Sequence, residues 1–233
     1  MEKKRKCTGW IRGAGTTGNR LLLLGAALAA VFVFGGCRLV VNAWDDDPLV
    51  FVTHILSDAD ADGDIAFTPP DTYDISSARV TGTVLAGIDP VYGDEFRGFL
   101  DFPLRGSRGL PYDAFIESAT LEIFIAGVDE RFPGAGVPMI VDLVSFQPPD
   151  LVPGDFDRAI QPALLSQGID IEAADTGTIV ALDVTALVDE AQRWELPDFQ
   201  VRFLLDFSVA SGLVEIEDSL SETAPRLTVT YRY

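Results

Sequence analysis

Residues 119–125, which read ATLEIFI, decide the fold of this chain. Small or apolar residues stand at positions 119, 121, 123 and 125, whereas positions 120 and 122 are polar. Because successive side chains of a β-strand point to opposite faces, this alternation predicts a strand with one buried and one solvent-facing side. Residues 199–207 (FQVRFLLDF) repeat the pattern, with an apolar residue at every odd position. Half-buried strands of this kind are typical of antiparallel sheets.

Six further segments have the composition of strands. They are residues 78–86, 96–103, 137–146, 178–183, 213–216 and 226–233. Only residues 184–194 have the apolar periodicity of a helix, with a buried stripe that includes Trp194, and Asp183 or Thr185 is in position to cap its first turn. About eight strands and one short helix predict an all-β fold, a jelly-roll-like antiparallel β-sandwich.

Acidic residues dominate the charge of the chain. Its 233 residues include 36 Asp and Glu but only 17 Lys and Arg, so the formal net charge is −19. Affinity for nucleic acid comes largely from Lys and Arg that neutralise phosphates, and this composition therefore excludes a nucleic-acid partner. The charge is also uneven, because residues 1–36 carry six basic residues and one acidic residue. A basic leader thus precedes a strongly acidic remainder.

The N-terminal region has the pattern of an export signal. Residues 21–34 (LLLLGAALAAVFVF) are uncharged, and a run of 14 is shorter than the ~20 residues of a membrane-spanning helix but fits the ~7–15 of a signal-peptide core. Gly35, Gly36 and Cys37 follow and resemble the lipobox of bacterial lipoproteins, in which the cysteine is lipidated. We therefore expect residues 1–36 to be a lipoprotein signal peptide, Cys37 to be the lipidation site, residues 37–48 to be a tether, and residues 49–233 to be the β-sandwich domain.

The alternative for this region is an uncleaved N-terminal hydrophobic anchor helix that residues 39–41 would extend. Both interpretations export the domain and attach it to a membrane. Arg38 after the cysteine resembles the lipoproteins that are sorted to the outer membrane, so we expect an outer-membrane or cell-surface location. Once Cys7 is removed with the signal, Cys37 has no disulfide partner, which fits a lipid anchor.

Four motifs in the acidic region carry a resemblance to a known family. In order, they are residues 97–104 (RGFLDFPL), 116–123 (IESATLEI), 182–188 (LDVTALV) and 224–231 (APRLTVTY). Together they resemble the DNRLRE-type secreted β-sandwich domain over residues 60–233. The resemblance implies a fold related to carbohydrate-binding jelly rolls, and it carries over no ligand-binding residue. Residues 155–157 (DFD) depart from the family, whose members often have a Trp- and Glu-rich stretch there.

The acidic segment at residues 58–64 (DADADGD) is the candidate metal site. Its alternating carboxylates belong to Asp58, Asp60, Asp62 and Asp64. Carboxylate oxygens are the ligands that calcium prefers, and Gly63 permits the turn that such a loop needs. An EF-hand is excluded, because Pro69 stands where its twelfth residue, Glu, would be. Two interpretations of the segment remain. It is either a calcium loop of another kind, completed by Asp71 or Asp74, or a solvated acidic loop that enters a strand.

Sugar binding requires exposed aromatic rings beside polar groups. The aromatic residues in loop-like contexts are Trp44, Tyr73, Tyr92, Tyr112, Phe132 and Phe156, each of which could instead anchor its loop in the core. Because every cation after Lys6 is an arginine and acidic residues outnumber them, a neutral polysaccharide is favoured over an anionic one. We therefore expect a non-catalytic, envelope-anchored module that binds a polysaccharide. The alternative is a structural or adhesion lipoprotein of the cell envelope without a small-molecule ligand.

Catalytic patterns are weak in this sequence. The single histidine, His54, follows an apolar run at the expected edge of the domain. One histidine in this position gives little support to a Ser-His-Asp triad, and it cannot form a metal site that needs several histidines. The many carboxylates offer numerous pairs for glycoside hydrolysis without singling one out. We therefore expect that the protein is not an enzyme.

Overall fold

The computed structural model describes residues 49–106, 109–148, 150–206, 212–219 and 222–233. These residues form mainly a curled antiparallel sheet of twelve strands. The strands are β1 (Val50–Leu56), β2 (Gly63–Thr68), β3 (Thr72–Ser77), β4 (Thr83–Ile88), β5 (Glu95–Pro103), β6 (Phe115–Glu130), β7 (Val137–Val144), β8 (Leu165–Ile171), β9 (Ile179–Asp183), β10 (Asp198–Leu205), β11 (Gly212–Glu217) and β12 (Arg226–Arg232). The expected signal peptide, Cys37 and the tether lie outside the described residues.

Helices are few and short. Among the described residues, the α-helices are α1 (Ala78–Thr81), α2 (Pro153–Phe156) and α3 (Thr185–Arg193), and one 3-10 turn spans Ala173–Asp175. Within the described part of the chain, none of the helices has the length and apolar character needed to cross a membrane. Helix α1 lies between β3 and β4 in the chain, and α3 lies between β9 and β10.

The strands form two groups. Six of them are hydrogen-bonded in the order β3-β2-β5-β10-β7-β8. The others surround the long strand β6, whose first half pairs with β12 and whose second half pairs with β11, while β9 pairs with its middle. β1 extends this group from β12, and β4 extends it from β11. A short pairing between β4 and β5 joins the two groups into one curled sheet.

Both groups of strands contribute to one main buried cluster. On β5, Leu100 and Phe102 belong to this cluster, whereas Phe99 belongs to a smaller one that includes Phe156 of α2. Since neighbouring residues of a strand point to opposite faces, β5 is covered on both sides. The six-strand group is therefore packed against the main core on one face and against the α2 region on the other.

The structure has twelve strands where the sequence predicts about eight. Each predicted strand is present, and β1, β2, β3 and β8 are additional. Among the described residues, β1, β3 and β8 each pair with one neighbour only, and most of their side chains are exposed. Strands at a sheet edge face solvent on more sides than central strands do, so their alternation of apolar and polar residues is weak.

The strand predicted at residues 78–86 is partly wrong. Its first four residues form α1, and Gly82 ends that turn with a φ of 77°, in the left-handed region that glycine adopts without a side-chain clash. β4 begins only at Thr83. The helical turn therefore occupies residues 78–82 of a segment whose composition is typical of a strand.

Helix α3 confirms the single helix with clear periodicity. Leu187, Val188 and Ala191 are buried, as the apolar stripe predicts. The prediction that Trp194 belongs to the buried stripe is wrong, because its side chain is 60% exposed and its indole nitrogen donates to Glu190 Oε1 at 2.6 Å. The helix ends at Arg193, and the chain then turns so that Leu196, rather than Trp194, packs against the core.

Asp183 holds the first turn of α3. Its Oδ1 accepts hydrogen bonds from the backbone nitrogen of Thr185 at 3.0 Å and from the Thr185 hydroxyl at 2.6 Å. The Thr185 hydroxyl oxygen in turn accepts the backbone N–H of Ala119 at 2.9 Å. The prediction that Asp183 bonds a free N–H of the first turn is thus confirmed. The N-cap position itself, however, is occupied by Val184 rather than by Asp183 or Thr185, and Thr185 attaches the helix to β6.

We expect Asp183→Ala to lower the free energy of unfolding by about 0.5–1 kcal/mol, because the first-turn N–H loses its acceptor. Asp189→Ala is the matched control, since Asp189 is an exposed aspartate of the same helix. Denaturant unfolding of both variants measures the difference. Equal losses of stability would contradict the role assigned to Asp183.

Candidate functional site

The first two aspartates of the acidic segment lie on the surface. Asp58 Oδ1 accepts the backbone N–H of Asp60 at 3.1 Å, which closes the loop between β1 and β2. Asp60 pairs with Arg79 of α1, and both side chains are exposed. These two carboxylates therefore stabilise a local turn and a surface ion pair.

The last two aspartates of the segment are buried and point to different strands. Asp62 Oδ1 accepts the backbone N–H of Asp101 at 2.6 Å, and Asp64 Oδ2 accepts that of Leu85 at 3.2 Å. Burial and, to a smaller extent, the charge of Asp74 raise the pKa of Asp64 to about 6, against the opposing effect of the hydrogen bond from Leu85. Burial also raises the pKa of Asp101 to about 6, against the opposing effect of a hydrogen bond from Gln200.

The four predicted calcium ligands are thus not brought together. Within the described ranges, no group of three or more His, Cys, Asp or Glu side chains is placed to hold a metal ion. Calcium binding by Asp58, Asp60, Asp62 and Asp64 stays a prediction.

Asp62 instead has a neighbour that the sequence analysis missed. Asp218, directly after β11, is also buried, and its Oδ1 accepts a hydrogen bond from the Ser57 hydroxyl at 3.4 Å. Burial and the charge of Asp218 raise the pKa of Asp62 well above its usual value. Burial likewise raises the pKa of Asp218 to about 6. No motif surrounds Asp218, so only the pairing of β11 with β4 and β6 brings it to this place.

An open groove runs along the exposed side of α3, and we call it the α3 groove. It is lined by Phe115, Ile116, Gln167, Asp183, Thr185, Ala186 and Asp189. The Phe115 side chain is 58% exposed, and the guanidinium of Arg232 lies over its ring at 4.7 Å from the centroid. The groove therefore combines an exposed aromatic face with carboxylate, amide and hydroxyl groups, which is the composition that a sugar-binding surface needs.

The exposure of Phe115 results from a β-bulge. Thr230 of β12 pairs with Ser118, but the next residue, Tyr231, pairs with Ile116, so Glu117 is an extra residue on β6. An extra residue reverses the alternation of faces in a strand. Ile116 is consequently buried and Phe115 faces solvent, although strict alternation from residue 119 would place Phe115 inward.

Tyr112 is a second exposed aromatic residue, and its loop contacts the C-terminal end of α3. Gln192 Nε2 donates to the backbone oxygens of Pro111 and Tyr112 at 2.6 and 2.9 Å, so this loop is held against the helix. The guanidinium of Arg105 stacks on the Tyr112 ring at 3.9 Å from its centroid. Tyr112 is thus exposed but fixed, as expected of a candidate ligand-binding aromatic residue.

The remaining predicted aromatic residues are scattered. Tyr92 and Phe132 are exposed in two separate loops. Tyr73 lies in β3 rather than in a loop, and its ring packs against Phe67 and Phe156. Phe156 is buried, with 6% of its surface exposed, so it anchors its segment in the interior and is not an exposed ring for sugar binding. Trp44 lies outside the described residues.

The outer face of the six-strand group is closed by the α2 region. Arg97 of β5 donates to the backbone oxygen of Phe156 and lies over its ring at 4.0 Å. Arg202 of β10 donates to the backbone oxygen of Asp155 at 2.8 Å and to Asp142 Oδ2 at 2.8 Å. This face is therefore a second packed interior, and among the described surfaces the α3 groove is the better candidate for ligand binding.

His54 is exposed on β1, and its Nδ1 lies 3.0 Å from the Thr228 hydroxyl. This agrees with the expectation of an ordinary residue at the edge of the domain.

No model of a known protein family matches the chain, and neither does any curated protein.

Proposed function

We propose that this protein is a non-catalytic, envelope-anchored module that binds a neutral polysaccharide through the α3 groove. The observation that carries the proposal is the exposed ring of Phe115 beside the polar side chains of Gln167, Asp183 and Asp189. A sugar ring stacks its apolar C–H face on an aromatic ring, while its hydroxyl groups bond to carboxylates and amides. The groove is open, which suits a polymer that extends beyond the contacted residues.

The charge of the domain supports a neutral ligand. Residues 37–233 carry 35 acidic and 11 basic residues, so an anionic polysaccharide would be repelled over most of the surface. The groove itself presents Asp183 and Asp189, which attract hydroxyl donors rather than anions.

The lowered pKa of Asp183 suits this residue to hydrogen bonding rather than to the role of a general acid. A glycosidase needs a carboxylic acid that stays protonated near neutral pH, and this requires a raised pKa. The hydrogen bonds from Thr185 instead hold the pKa of Asp183 below its usual value. Asp183 is therefore ionised at neutral pH and suited to accept hydrogen bonds from sugar hydroxyls.

The proposal also covers fold family and location. We infer that the curled sheet is a jelly-roll-like sandwich and a divergent form of the DNRLRE-type domain, since both groups of strands contribute to one buried cluster. A lipid on Cys37, or an uncleaved N-terminal helix, would anchor this domain at the outer membrane or cell surface. Polysaccharide binding fits such a location, where cell-envelope and environmental glycans are accessible.

Affinity gel electrophoresis of the full-length chain in mild detergent tests the proposal. We expect one or more neutral polysaccharides to retard the chain, and Phe115→Ala to weaken this binding roughly tenfold, because an aromatic contact and its buried area are lost. Phe132→Ala is the matched control, since Phe132 is an equally exposed phenylalanine outside the groove.

Two results would count against the proposal. Absence of retardation by any polysaccharide would favour the structural or adhesion lipoprotein. Retardation that Phe115→Ala and Phe132→Ala weaken equally would place the binding surface outside the α3 groove.

A further inference from the structure

Two side chains of the loop that connects β1 and β2 meet one from a distant part of the chain. Ser57 follows β1, Asp62 precedes β2, and Asp218 follows β11. The side chain of Asp62 is 1% exposed, and that of Asp218 is 6% exposed. Two carboxylates are therefore placed side by side in the interior.

Each of these carboxylates has one oxygen that lacks a hydrogen-bond partner among the described residues. These atoms are Asp62 Oδ2 and Asp218 Oδ2. Neither carboxylate takes part in an ion pair within the described ranges, where Asp60 of the same loop pairs with Arg79. The carboxyl groups of Asp62 and Asp218 lie within hydrogen-bonding reach of each other, but two ionised carboxylates have no proton to donate. Because buried like charges are costly, the pair needs a neutralising group, which is either a shared proton or a bound cation.

The backbone holds the three residues in place. The backbone N–H of Ser57 donates to Pro225 O at 3.0 Å, and that of Asp218 donates to Gly82 O at 2.8 Å. The backbone N–H of Asp62 donates to Asp58 O at 2.9 Å. The side chains are thus presented from fixed positions rather than from flexible ones, as an ion-binding site requires.

We propose that Asp62, Asp218 and Ser57 bind a single calcium ion. Two carboxylates balance the charge of a divalent cation, and carboxylate and hydroxyl oxygens are the hard ligands that calcium prefers. Backbone carbonyls and water complete the coordination, as they do in many calcium sites. The ion ties the β1–β2 loop to the end of β11.

This site differs from the calcium loop that the alternating aspartates predict. It uses Asp62 of that segment but replaces Asp58, Asp60 and Asp64 with Ser57, which precedes the segment, and Asp218, which is distant in sequence. Asp58 contributes only through its negative charge, which is near enough to raise the pKa of Asp218. The inference does not depend on polysaccharide binding, since the site and the α3 groove share no residue.

Thermal unfolding of the full-length chain, treated with chelator and then given calcium at pH 8, tests the site. We expect calcium at ~100 times its Kd to raise Tm by about 5–10 °C. Asp62→Asn and Asp218→Asn should each abolish this shift. Asp60→Asn is the matched control and should keep it, because Asp60 lies in the same loop but on the surface. Magnesium should give a smaller shift, because it loses its water ligands reluctantly.

The proposal is overturned if calcium leaves the Tm of the unaltered chain unchanged at pH 8. The carboxyl groups of Asp62 and Asp218 would then be neutralised by a proton that they share, and not by an ion. It is equally overturned if Asp62→Asn keeps the full shift, because the ion would then bind elsewhere on this acidic surface. Should the asparagine variants fail to fold, Ser57→Ala replaces them, since it keeps both carboxylates. A calcium affinity several-fold weaker in Ser57→Ala, measured by calorimetry, supports the site, and an unchanged affinity refutes it.

Discussion

Asp142→Ala is expected to lower the free energy of unfolding by about 3–5 kcal/mol, because it leaves the charge of Arg202 buried without a counter-ion. For a domain of this size, that corresponds to a decrease in Tm of roughly 6–20 °C. Both side chains of the pair are fully buried, and Arg202 Nη2 lies 2.8 Å from Asp142 Oδ2. Thermal unfolding monitored by circular dichroism measures the effect.

The geometry explains why this single carboxylate matters. Asp142 Oδ1 also accepts hydrogen bonds from Ser166 Oγ at 2.6 Å and from Arg158 Nη2 at 3.0 Å. Arg202 donates further to the backbone oxygens of Asp155 and Gln161. Removing Asp142 therefore loosens the attachment of the α2 region to the outer face of the six-strand group.

Two variants separate the buried charge from other effects. Arg158→Ala removes a partner of the same carboxylate that is 39% exposed, so we expect a loss of at most about 1 kcal/mol. Asp142→Leu combined with Arg202→Met should be more stable than Asp142→Ala, because no buried charge remains. If Asp142→Ala and Arg158→Ala destabilise the protein equally, the buried ion pair is not the cause.

The second large effect is expected from pH. In the presence of chelator, the protein should be more stable at pH 5 than at pH 7.5, by several kcal/mol. Burial raises the pKa of Asp64, Asp101 and Asp218 to about 6, whereas an unfolded aspartate titrates near pH 3.9. Between these values the folded state binds more protons than the unfolded state, so stability falls as pH rises from about 4 to above 6. Thermal unfolding across this pH range measures the trend.

Groups with a lowered pKa do not oppose this trend. Backbone N–H donors lower the pKa of Glu130, and the Thr185 hydrogen bonds lower that of Asp183. The stability that these two carboxylates contribute is lost only when pH falls through their folded pKa values. Both values lie below pH 5, outside the range from pH 5 to pH 7.5 over which stability is compared.

Asp64→Asn supplies the control for the pH effect. The amide oxygen still accepts the N–H of Leu85, but the group no longer titrates. We therefore expect a smaller gain of stability on acidification in this variant, and an unchanged gain in Asp60→Asn, whose carboxylate is exposed. A Tm that is flat or decreases between pH 7.5 and pH 5 would refute the assignment of raised pKa values.

Central strands are the part of the fold that sequence reasoning predicts best. The alternation at residues 119–125 lies within β6, and that at residues 199–205 corresponds to β10, because both strands have one face in the main core. The solvent-facing side predicted for β10 is wrong, because the α2 region covers that face and buries Gln200 and Arg202. The edge strands β1, β3 and β8 lack this signal. Their side chains are mostly exposed on both faces, so burial imposes little pattern on their residues.

The candidate sites depend on features that no local pattern contains. Phe115 reaches the α3 groove because Glu117 forms a bulge opposite β12. Trp194 leaves the core because α3 ends one residue earlier, although it continues the apolar stripe. Each outcome depends on pairing and packing with distant segments, whose effect outweighs local periodicity.

By itself, the sequence determined that the chain has an antiparallel β-rich domain with one periodic helix, because the alternation of buried and exposed residues is a property of each segment. The partners of the acidic residues were decided only by the tertiary structure. Of the four neighbouring aspartates, Asp58 and Asp60 stay on the surface, whereas Asp62 and Asp64 bond to different strands. Asp62 and Asp218, far apart in sequence, become adjacent in the interior. The physical reason is that sheet register, and not spacing along the chain, sets which carboxylates share a buried site.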